Sequence, residues 1–539
     1  MTGKMLWETS YMQRPHDHTE SQPTPEVSSC PRWGQRQALR WFLFLGLFAL
    51  CFVLGETRSW GESLRRIVVF QTGTPMAVQT EIVTESGSTL LNFLPVVNAA
   101  VITLSPNTPE TALAALLRRP EVVEIHEDPA LSAEDVESVG GIEGTLITPV
   151  DVLSGGIPWN LHQIGIKEIE GGATGKGVWV AVLDTGIDYT HPDLAARVVD
   201  CYNARAGEDA TDCMDYNGHG THIAGIIAAN VSSSPRGPSP RIGVAREAQL
   251  IAVRVLDPIG GGFVSDLING LSWVYSRPYI RVVNMSLGFY KSSPYPLLQR
   301  IVTQLYNAGV IMVAAAGNYK TAVQPVAGSA SPAAASEGGE AVTTAMTICI
   351  PADAPATSEG GEALGLGADN VTVVQDPTCN KLVKFPARYP ETIAVAAADI
   401  DSHITYYSIR GAEVDIAAPG GTRLHPVIST TSTQQGVVTC IGGVSSVAAS
   451  EGGECLRSPV TAPASGTGQM LYGSGSGTSQ ATAHVTGVVA LMLQKNPTLT
   501  PDAVRMILYE TAADLGFSAL AQGAGLIRAG LIVETLDVP

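Results

Sequence analysis

The chain has few basic residues: 32 Lys and Arg stand against 50 Asp and Glu in 539 residues, which gives a formal net charge of −18. A nucleic-acid partner needs a basic protein surface to meet its phosphates, so this balance argues against one. Only 15% of the residues are charged and 45% are hydrophobic, which is typical of a globular protein. The length allows two or more domains.

Zinc-binding patterns are missing as well. The chain has no Cys-x-x-Cys pair, and His219 and His222 are three residues apart without the spacing and glutamate of a zinc-binding helix. We therefore interpret His222 as a packing residue.

Eight cysteines are present, and two of them, Cys30 and Cys51, lie in the N-terminal tail and the apolar run that follows it. An even number favours disulfides if the chain is exported, as the segment at 41–54 predicts below, although six cysteines allow 15 connectivities. Pairing of sequence neighbours is the prediction for the remaining six, which are Cys201 with Cys213, Cys349 with Cys379, and Cys440 with Cys455.

Residues 1–40 are polar and are predicted to be a disordered tail. The next segment, 41–55, begins with the 14-residue apolar run WFLFLGLFALCFVL (41–54) and follows three arginines. A basic flank before a short apolar run is the pattern of an export signal, and about 20 residues are needed to span a membrane comfortably. The segment is either a signal peptide or a signal anchor, which predicts transient or permanent membrane attachment and a secreted or cell-surface protein.

A small α+β domain is predicted over residues 66–131. It contains three apolar strand-like stretches and a helix at Pro109–Arg119. Residues 132–156 are acidic and glycine-rich and are predicted to be a linker.

Residues 157–539 alternate between strand and helix patterns. Near-continuous apolar runs indicate strands that are buried on both faces, whereas apolar residues at helical spacing indicate a helix at Ser293–Ala308 and another after Thr500. The prediction is an α/β fold with a doubly wound, mostly parallel sheet covered by helices. The predicted strands are 178–184, 248–257, 280–287, 309–317 and 391–398.

Two stretches interrupt this alternation and are predicted insertions, at about 320–384 and 422–472. They contain the pentapeptide SEGGE three times. It is either a repeated acidic turn that binds cations or a duplicated solvated loop; the second interpretation is favoured because the spacing matches no cation-binding loop.

Three glycine-rich segments carry groups suited to acyl transfer. VAVLDTGID ends an apolar strand at Asp184, NGHGTHIAG contains His219, and GTSQATAHVTG places Ser479 at the start of a helix. An alcohol, an imidazole and a carboxylate are the groups that a serine hydrolase needs. Asp188 and Asp193 compete for the carboxylate role, and Asp184 is favoured because it emerges directly from the buried strand.

A fourth candidate is Asn318, which follows the apolar strand in AAAGN. A side-chain amide in that position can donate to the oxyanion of a tetrahedral intermediate.

With DTGIDYTHPDL, NMSLG and the order Asp–His–Ser, these motifs make residues 157–515 resemble the subtilisin-like serine proteases. The resemblance implies a triad of Asp184, His219 and Ser479, with Asn318 in the oxyanion hole. It also implies that an extended substrate binds as an added strand between two backbone segments. These segments are Gly260, Gly261 and Gly262 on one side and Ser286, Leu287 and Gly288 on the other.

The same resemblance implies an inhibitory, ferredoxin-like propeptide at 66–131 whose IHEDPALS end lies in the active site until the enzyme cleaves it. It implies polypeptide substrates, a monomer, no catalytic cofactor, and a structural calcium at Asp193 and a loop resembling 229–241, although that loop is altered. Two alternatives stay open. One is a catalytically silent binding protein, and the other is a peptide ligase or cyclase, suggested by Ala483 where the family usually has proline.

Overall fold

The structure is a computed structural model. Its main described parts are 64–134, 157–169, 172–230, 242–319, 382–422, 425–434 and 472–536, with the backbone of short strands between them. The polar tail, the run at 41–54, most of the predicted linker and the SEGGE repeats lie outside these residues, so the interpretations placed on them stay predictions. Within the described part, no helix is long and apolar enough to cross a membrane.

The N-terminal domain has a four-stranded antiparallel sheet in the order β2-β3-β1-β4, with both helices joining its strands. Its elements are β1 (Arg65–Phe70), α1 (Met76–Glu85), β2 (Thr89–Leu94), β3 (Ala99–Thr103), α2 (Pro109–Leu117) and β4 (Val122–Glu127). This is the ferredoxin-like α+β arrangement predicted from the sequence. Helix α1 was not predicted, since it buries only Gln79, Ile82 and Val83 and so has a weak helical pattern.

The large domain is built on a seven-stranded parallel sheet in the order β17-β16-β12-β10-β6-β8-β7. Its strands are β6 (Trp179–Asp184), β7 (Val198–Asn203), β8 (Gln249–Arg254), β10 (Val282–Met285), β12 (Ile311–Ala315), β16 (Thr392–Ala398) and β17 (Ile416–Pro419). The doubly wound parallel sheet is thereby confirmed. The strands β7 and β17 lie at its edges and escaped prediction, because β7 is half exposed and β17 is short and ends in proline.

Helices cover both faces of this sheet, and each face has its own apolar core. One face carries α4 (His219–Ala228) and α7 (Thr478–Lys495), and the other carries α5 (Val264–Tyr275) and α6 (Pro296–Asn307). The remaining helices are α3 (Trp159–Gln163), α8 (Pro501–Thr511), α9 (Ala519–Gln522) and α10 (Ala529–Leu536).

The two helices that apolar spacing predicts in the large domain are present, with small shifts at their ends. The helix predicted at Ser293–Ala308 is α6, and α8 begins after Thr500, whose side-chain oxygen accepts a hydrogen bond from the Ala503 N–H. This hydrogen bond is the usual way in which a threonine caps a helix.

The described part also contains short strands outside the main sheet. They are β13 (Ala322–Val323), β14 (Met346–Cys349), β15 (Val373–Val374), β18 (Val427–Thr430), β19 (Val437–Cys440), β20 (Cys455–Ser458) and β21 (Tyr472–Gly475). The backbones of Cys440 and Cys455 lie opposite each other in the β19–β20 pair. Disulfides at Cys349–Cys379 and Cys440–Cys455 stay predictions, because Cys379 and the side chains of the others lie outside the described structure.

A separate, three-stranded sheet joins the two domains. The strand β5 (Ala130–Ala133) lies between β9 (Gly261–Phe263) and β11 (Leu287–Gly288) and runs antiparallel to both. The predicted boundary at 131 therefore falls inside a strand. Composition alone could not reveal this strand, because its hydrogen bonds come from segments more than a hundred residues away.

The disulfide between Cys201 and Cys213 is present, with the two Cα atoms 5.9 Å apart and 12 residues separating them in sequence. It ties the edge strand β7 to the segment that precedes α4. We expect the double variant Cys201→Ser/Cys213→Ser to lower the free energy of unfolding by about 3 kcal/mol, because the unfolded chain regains the freedom of a closed loop. Denaturant unfolding of both proteins measures the difference, and equal midpoints would contradict a stabilising role for this bond.

Candidate active site

The predicted site residues lie at the carboxyl edge of the parallel sheet, where such folds place their sites. They form two contacting groups there. Asp184 contacts His219, while Ser479 and Asn318 both contact the carbonyl oxygen of Glu134. Asp184 ends β6, Asn318 follows β12, and His219 and Ser479 begin α4 and α7. Glycine is required next to the histidine, since a Cβ on Gly220 would lie 2.1 Å from the Gly186 carbonyl oxygen.

Asp184 and His219 form a buried pair, with Nδ1 of the imidazole 2.6 Å from Oδ1 of the carboxylate. The same oxygen accepts the Thr185 N–H at 2.7 Å. Burial raises the pKa of Asp184 and the nearby His219 lowers it, with a net rise. A carboxylate in this position orients the imidazole and stabilises its cation.

Asp215 holds the turn that places His219, and sequence analysis missed it. One carboxylate oxygen accepts hydrogen bonds from Thr185 Oγ1 and from the N–H groups of Asn217 and Gly218, each at 2.9 Å. The other accepts from the N–H and hydroxyl of Thr221 at 2.9 and 2.6 Å. The signal for this role was its position two residues before the NGHG turn, where aspartates accept backbone hydrogen bonds.

Ser479 is fully buried in the first turn of α7. Its hydroxyl donates to the carbonyl oxygen of Glu134 at 2.6 Å and lies 3.1 Å from that of Ser286. Its own N–H points to the Glu134 carbonyl oxygen at 3.3 Å. The first N–H groups of a helix lack partners within the helix and so are available to a ligand.

The side chain of Asn318 completes the arrangement. Its Nδ2 donates to the Glu134 carbonyl oxygen at 2.6 Å, while its Oδ1 accepts from the N–H and hydroxyl of Thr478 at 3.1 and 3.0 Å. Thr478 therefore fixes which end of the amide faces the carbonyl. Two donors converging on one carbonyl oxygen beside a serine hydroxyl form a site that can stabilise an oxyanion.

Glu134, whose carbonyl oxygen occupies the site, lies in the segment that the sequence predicts to be a linker. Its N–H donates to the Ser286 carbonyl at 3.1 Å, and the Ala133 N–H donates to the Gly260 carbonyl at 2.9 Å. The resemblance placed the IHEDPALS end near the site but gave no register, which depends on this pairing across β9 and β11. The glycine and serine segments predicted to flank an extended chain do flank one.

Other carboxylates near the site have different partners. Asp188 accepts hydrogen bonds from the hydroxyls of Thr190 and Thr433, and hydrogen bonds to these threonines outweigh burial and lower its pKa. Asp193 Oδ2 accepts from the Tyr472 hydroxyl at 2.5 Å. Within the described residues, no group of three or more His, Cys, Asp or Glu could hold a metal ion. Most of the loop expected to bind calcium lies outside them, so that site stays a prediction.

Comparison with known proteins gives a consistent result. Residues 175–526 match the model of the Subtilase family, Peptidase_S8. The chain is 30% identical to subtilisin E of Bacillus subtilis (strain 168) over 458 residues, which cover 84% of this chain and 85% of that protein. It is 32% identical to a subtilisin of Bacillus pumilus over 378 residues, or 69% and 97% of the two chains.

A solved structure shares the fold. Fervidolysin from Fervidobacterium pennivorans, a keratinolytic enzyme related to subtilisin, aligns with a TM-score of 0.57 and 23% identity. The alignment covers 89% of this chain and 62% of that one.

We predict that Asp215→Ala lowers the free energy of unfolding by at least about 3 kcal/mol, because it removes a buried acceptor of five hydrogen bonds. Denaturant unfolding of the intact chain measures the loss. The control is Asp209→Ala, since Asp209 is exposed and accepts two hydrogen bonds from Thr211. Equal losses in the two variants would show that Asp215 does not hold the turn.

Proposed function

Because the chain belongs to the subtilase family of serine proteases, we propose that it is an exported endopeptidase made as a self-processing zymogen. The observation that carries this proposal is the position of the Glu134 carbonyl, which lies against Ser479 and Asn318. A peptide carbonyl held in this way is positioned for acyl transfer.

In the first step, Ser479 Oγ attacks the carbonyl carbon of the residue that occupies the place of Glu134. The hydroxyl proton passes to Nε2 of His219, while Nδ1 of the imidazole keeps its hydrogen and donates it in a hydrogen bond to Asp184. The C=O electron pair moves onto the oxygen, where the Asn318 amide and the Ser479 N–H stabilise the negative charge.

In the second step, the C–N bond breaks and the leaving amine takes the proton from His219. An ester between Ser479 and the acyl part of the substrate remains, which is the acyl-enzyme. Water then attacks the ester carbonyl and gives one proton to Nε2 of His219. The ester C–O bond breaks as His219 returns this proton to Ser479 Oγ, which restores the serine and releases the carboxylic acid. The mechanism uses side chains of this chain and needs no cofactor.

The N-terminal domain is suited to act as the inhibitor of the uncleaved chain. Residues of β1, β2 and β3 pack with α5 and α6 in one apolar core. The hydroxyl of Tyr295, in the large domain, donates to the Glu127 carbonyl oxygen at 2.7 Å. Arg65 pairs with the buried Asp128 at 2.9 Å. Burial raises the pKa of Asp128 to about 6, against the lowering effect of Arg65. These contacts hold β5 in the cleft and so exclude other substrates.

We predict that the wild-type chain cuts itself between Glu134 and Asp135, so that the mature protein begins at Asp135. Ser479→Ala should stay uncut, because it lacks the attacking oxygen. Intact-mass measurement and N-terminal sequencing after expression in a protease-deficient host test this. A rate independent of protein concentration indicates cleavage within one molecule. Normal maturation of Ser479→Ala would overturn self-processing.

We also predict that Asn318→Ala slows self-cleavage by about 10²–10³-fold, because the oxyanion loses one of its two donors. The matched control is Asn307→Ala at the exposed end of α6, which should mature at the wild-type rate. A change of less than about threefold for Asn318→Ala would contradict its oxyanion role.

Export is supported by the apolar run at 41–54 and by the Cys201–Cys213 disulfide, since such bonds persist in oxidising compartments.

If the chain is instead a catalytically silent binding protein, the cleaved protein should give no fluorophosphonate adduct on Ser479. The ligase alternative predicts amide products when an ester substrate is offered an amine, and hydrolysis alone would exclude it.

A further inference from the structure

The side chain of Glu134 enters a closed pocket beside the site. The residue is 2% exposed, and its carboxylate accepts hydrogen bonds from Lys384 Nζ at 2.5 Å and from the Asn318 main-chain N–H at 3.0 Å. A buried carboxylate is strongly unfavourable unless it is paired and hydrogen-bonded, and here it is both. The pocket is therefore built to receive a negative charge.

The charge at the end of the pocket belongs to a fixed part of the fold. The Lys384 N–H donates to the Ala316 carbonyl at 3.0 Å, and the next residue, Phe385, exchanges two backbone hydrogen bonds with Phe289 at 2.9 and 3.1 Å. The lysine is thus tied to the segment that carries Asn318 and to the segment that follows Gly288. Its ammonium also lies 4.8 Å from the centre of the Tyr290 ring.

The pocket walls are shaped around the lysine stem. A Cβ on Gly317 would lie 2.9 Å from Cγ and Cδ of Lys384, and one on Gly288 would lie 3.0 Å from its Cβ and 3.2 Å from Oε1 of Glu134. Because the walls leave no room for even these single carbons, a bulky apolar side chain cannot enter past the lysine without displacing it.

The nearby carboxylate of Glu413 has a partner other than Lys384. Glu413, whose carboxylate lies on the loop packed against Val383, pairs with Arg388 at 3.2 Å. When the N-terminal segment leaves, the side chain of a substrate residue takes the place of the Glu134 carboxylate beside the ammonium.

Because the backbone pairing fixes the register, every substrate that is cut places one side chain in this pocket. A carbonyl can meet Asn318 and Ser479 only if its residue takes the place of Glu134, and the side chain of that residue then points to Lys384. We propose that Lys384 makes this enzyme selective for glutamate on the acyl side of the cleaved bond, an inference that rests on the proposed function. The substrates are then polypeptides cut after Glu, with Asp less favoured because it is one methylene shorter.

The test uses the self-matured wild-type enzyme and quenched peptides matching residues 128–136, with position 134 varied among Glu, Gln, Asp, Leu and Lys. Gln has the shape of Glu without its charge. We expect kcat/KM for Glu to exceed that for Gln by about 30-fold or more, as for loss of one partner of a buried charge pair. In Lys384→Gln the Glu-to-Gln ratio should fall to about one, whereas the neighbouring control Lys291→Gln should keep the wild-type ratio.

A charge swap in the full-length chain gives a second readout. Glu134→Lys and Lys384→Glu should each slow self-cleavage by about 30-fold or more, and combining them should restore most of the rate. The matured double variant should prefer the Lys peptide, which a purely structural ion pair would not cause.

The outcomes separate this inference from the proposed function. An enzyme that labels with fluorophosphonate on Ser479 but cuts the Gln or Leu peptide as well as the Glu peptide overturns the role of Lys384 alone. A cleaved protein that neither labels nor cuts any of the peptides overturns both.

Discussion

The structure depends on the hydrogen bonds that two backbone segments form with an extended chain between them. The strands β9 and β11 hydrogen-bond β5 from both sides, and this pairing alone sets which carbonyl reaches Ser479. A shift of the register by one residue would turn every side chain of the strand to the opposite side. Main-chain contacts, which many sequences can make, therefore align the bound chain with Ser479, Asn318 and Lys384, whereas the side-chain pockets discriminate between sequences.

Among the buried carboxylates at this edge of the sheet, Asp184, Asp215 and Glu134 each have different partners. Asp184 contacts the imidazole of His219, and Glu134 contacts the ammonium of Lys384. Asp215 accepts five hydrogen bonds, from Thr185, from the turn before α4 and from the first turn of α4. Removing one partner of a buried pair generally costs about 3–5 kcal/mol, so such groups strongly specify position. The Glu134–Lys384 pair differs from the other contacts because Glu134 belongs to the segment that occupies the cleft.

Much of the fold was predictable from local signals. Apolar runs indicated five of the seven strands of the main sheet, and the ends of those strands indicated Asp184 and Asn318. The edge strands β7 and β17 and the helix α1 gave weaker patterns because they bury less apolar surface. Glu134, Asp215 and Lys384 could not be assigned, since their roles come from contacts across 250 residues of sequence or from a turn whose geometry the motif alone does not show.

The most direct measurement is a crystal structure of the matured enzyme with the peptide aldehyde acetyl-Leu-Ser-Ala-Glu-H. The account predicts a bond from Ser479 Oγ to the aldehyde carbon, the resulting oxygen beside Asn318, and the glutamate carboxylate within hydrogen-bonding distance of Lys384 Nζ. A glutamate side chain directed into solvent, or a peptide bound in another register, would contradict it.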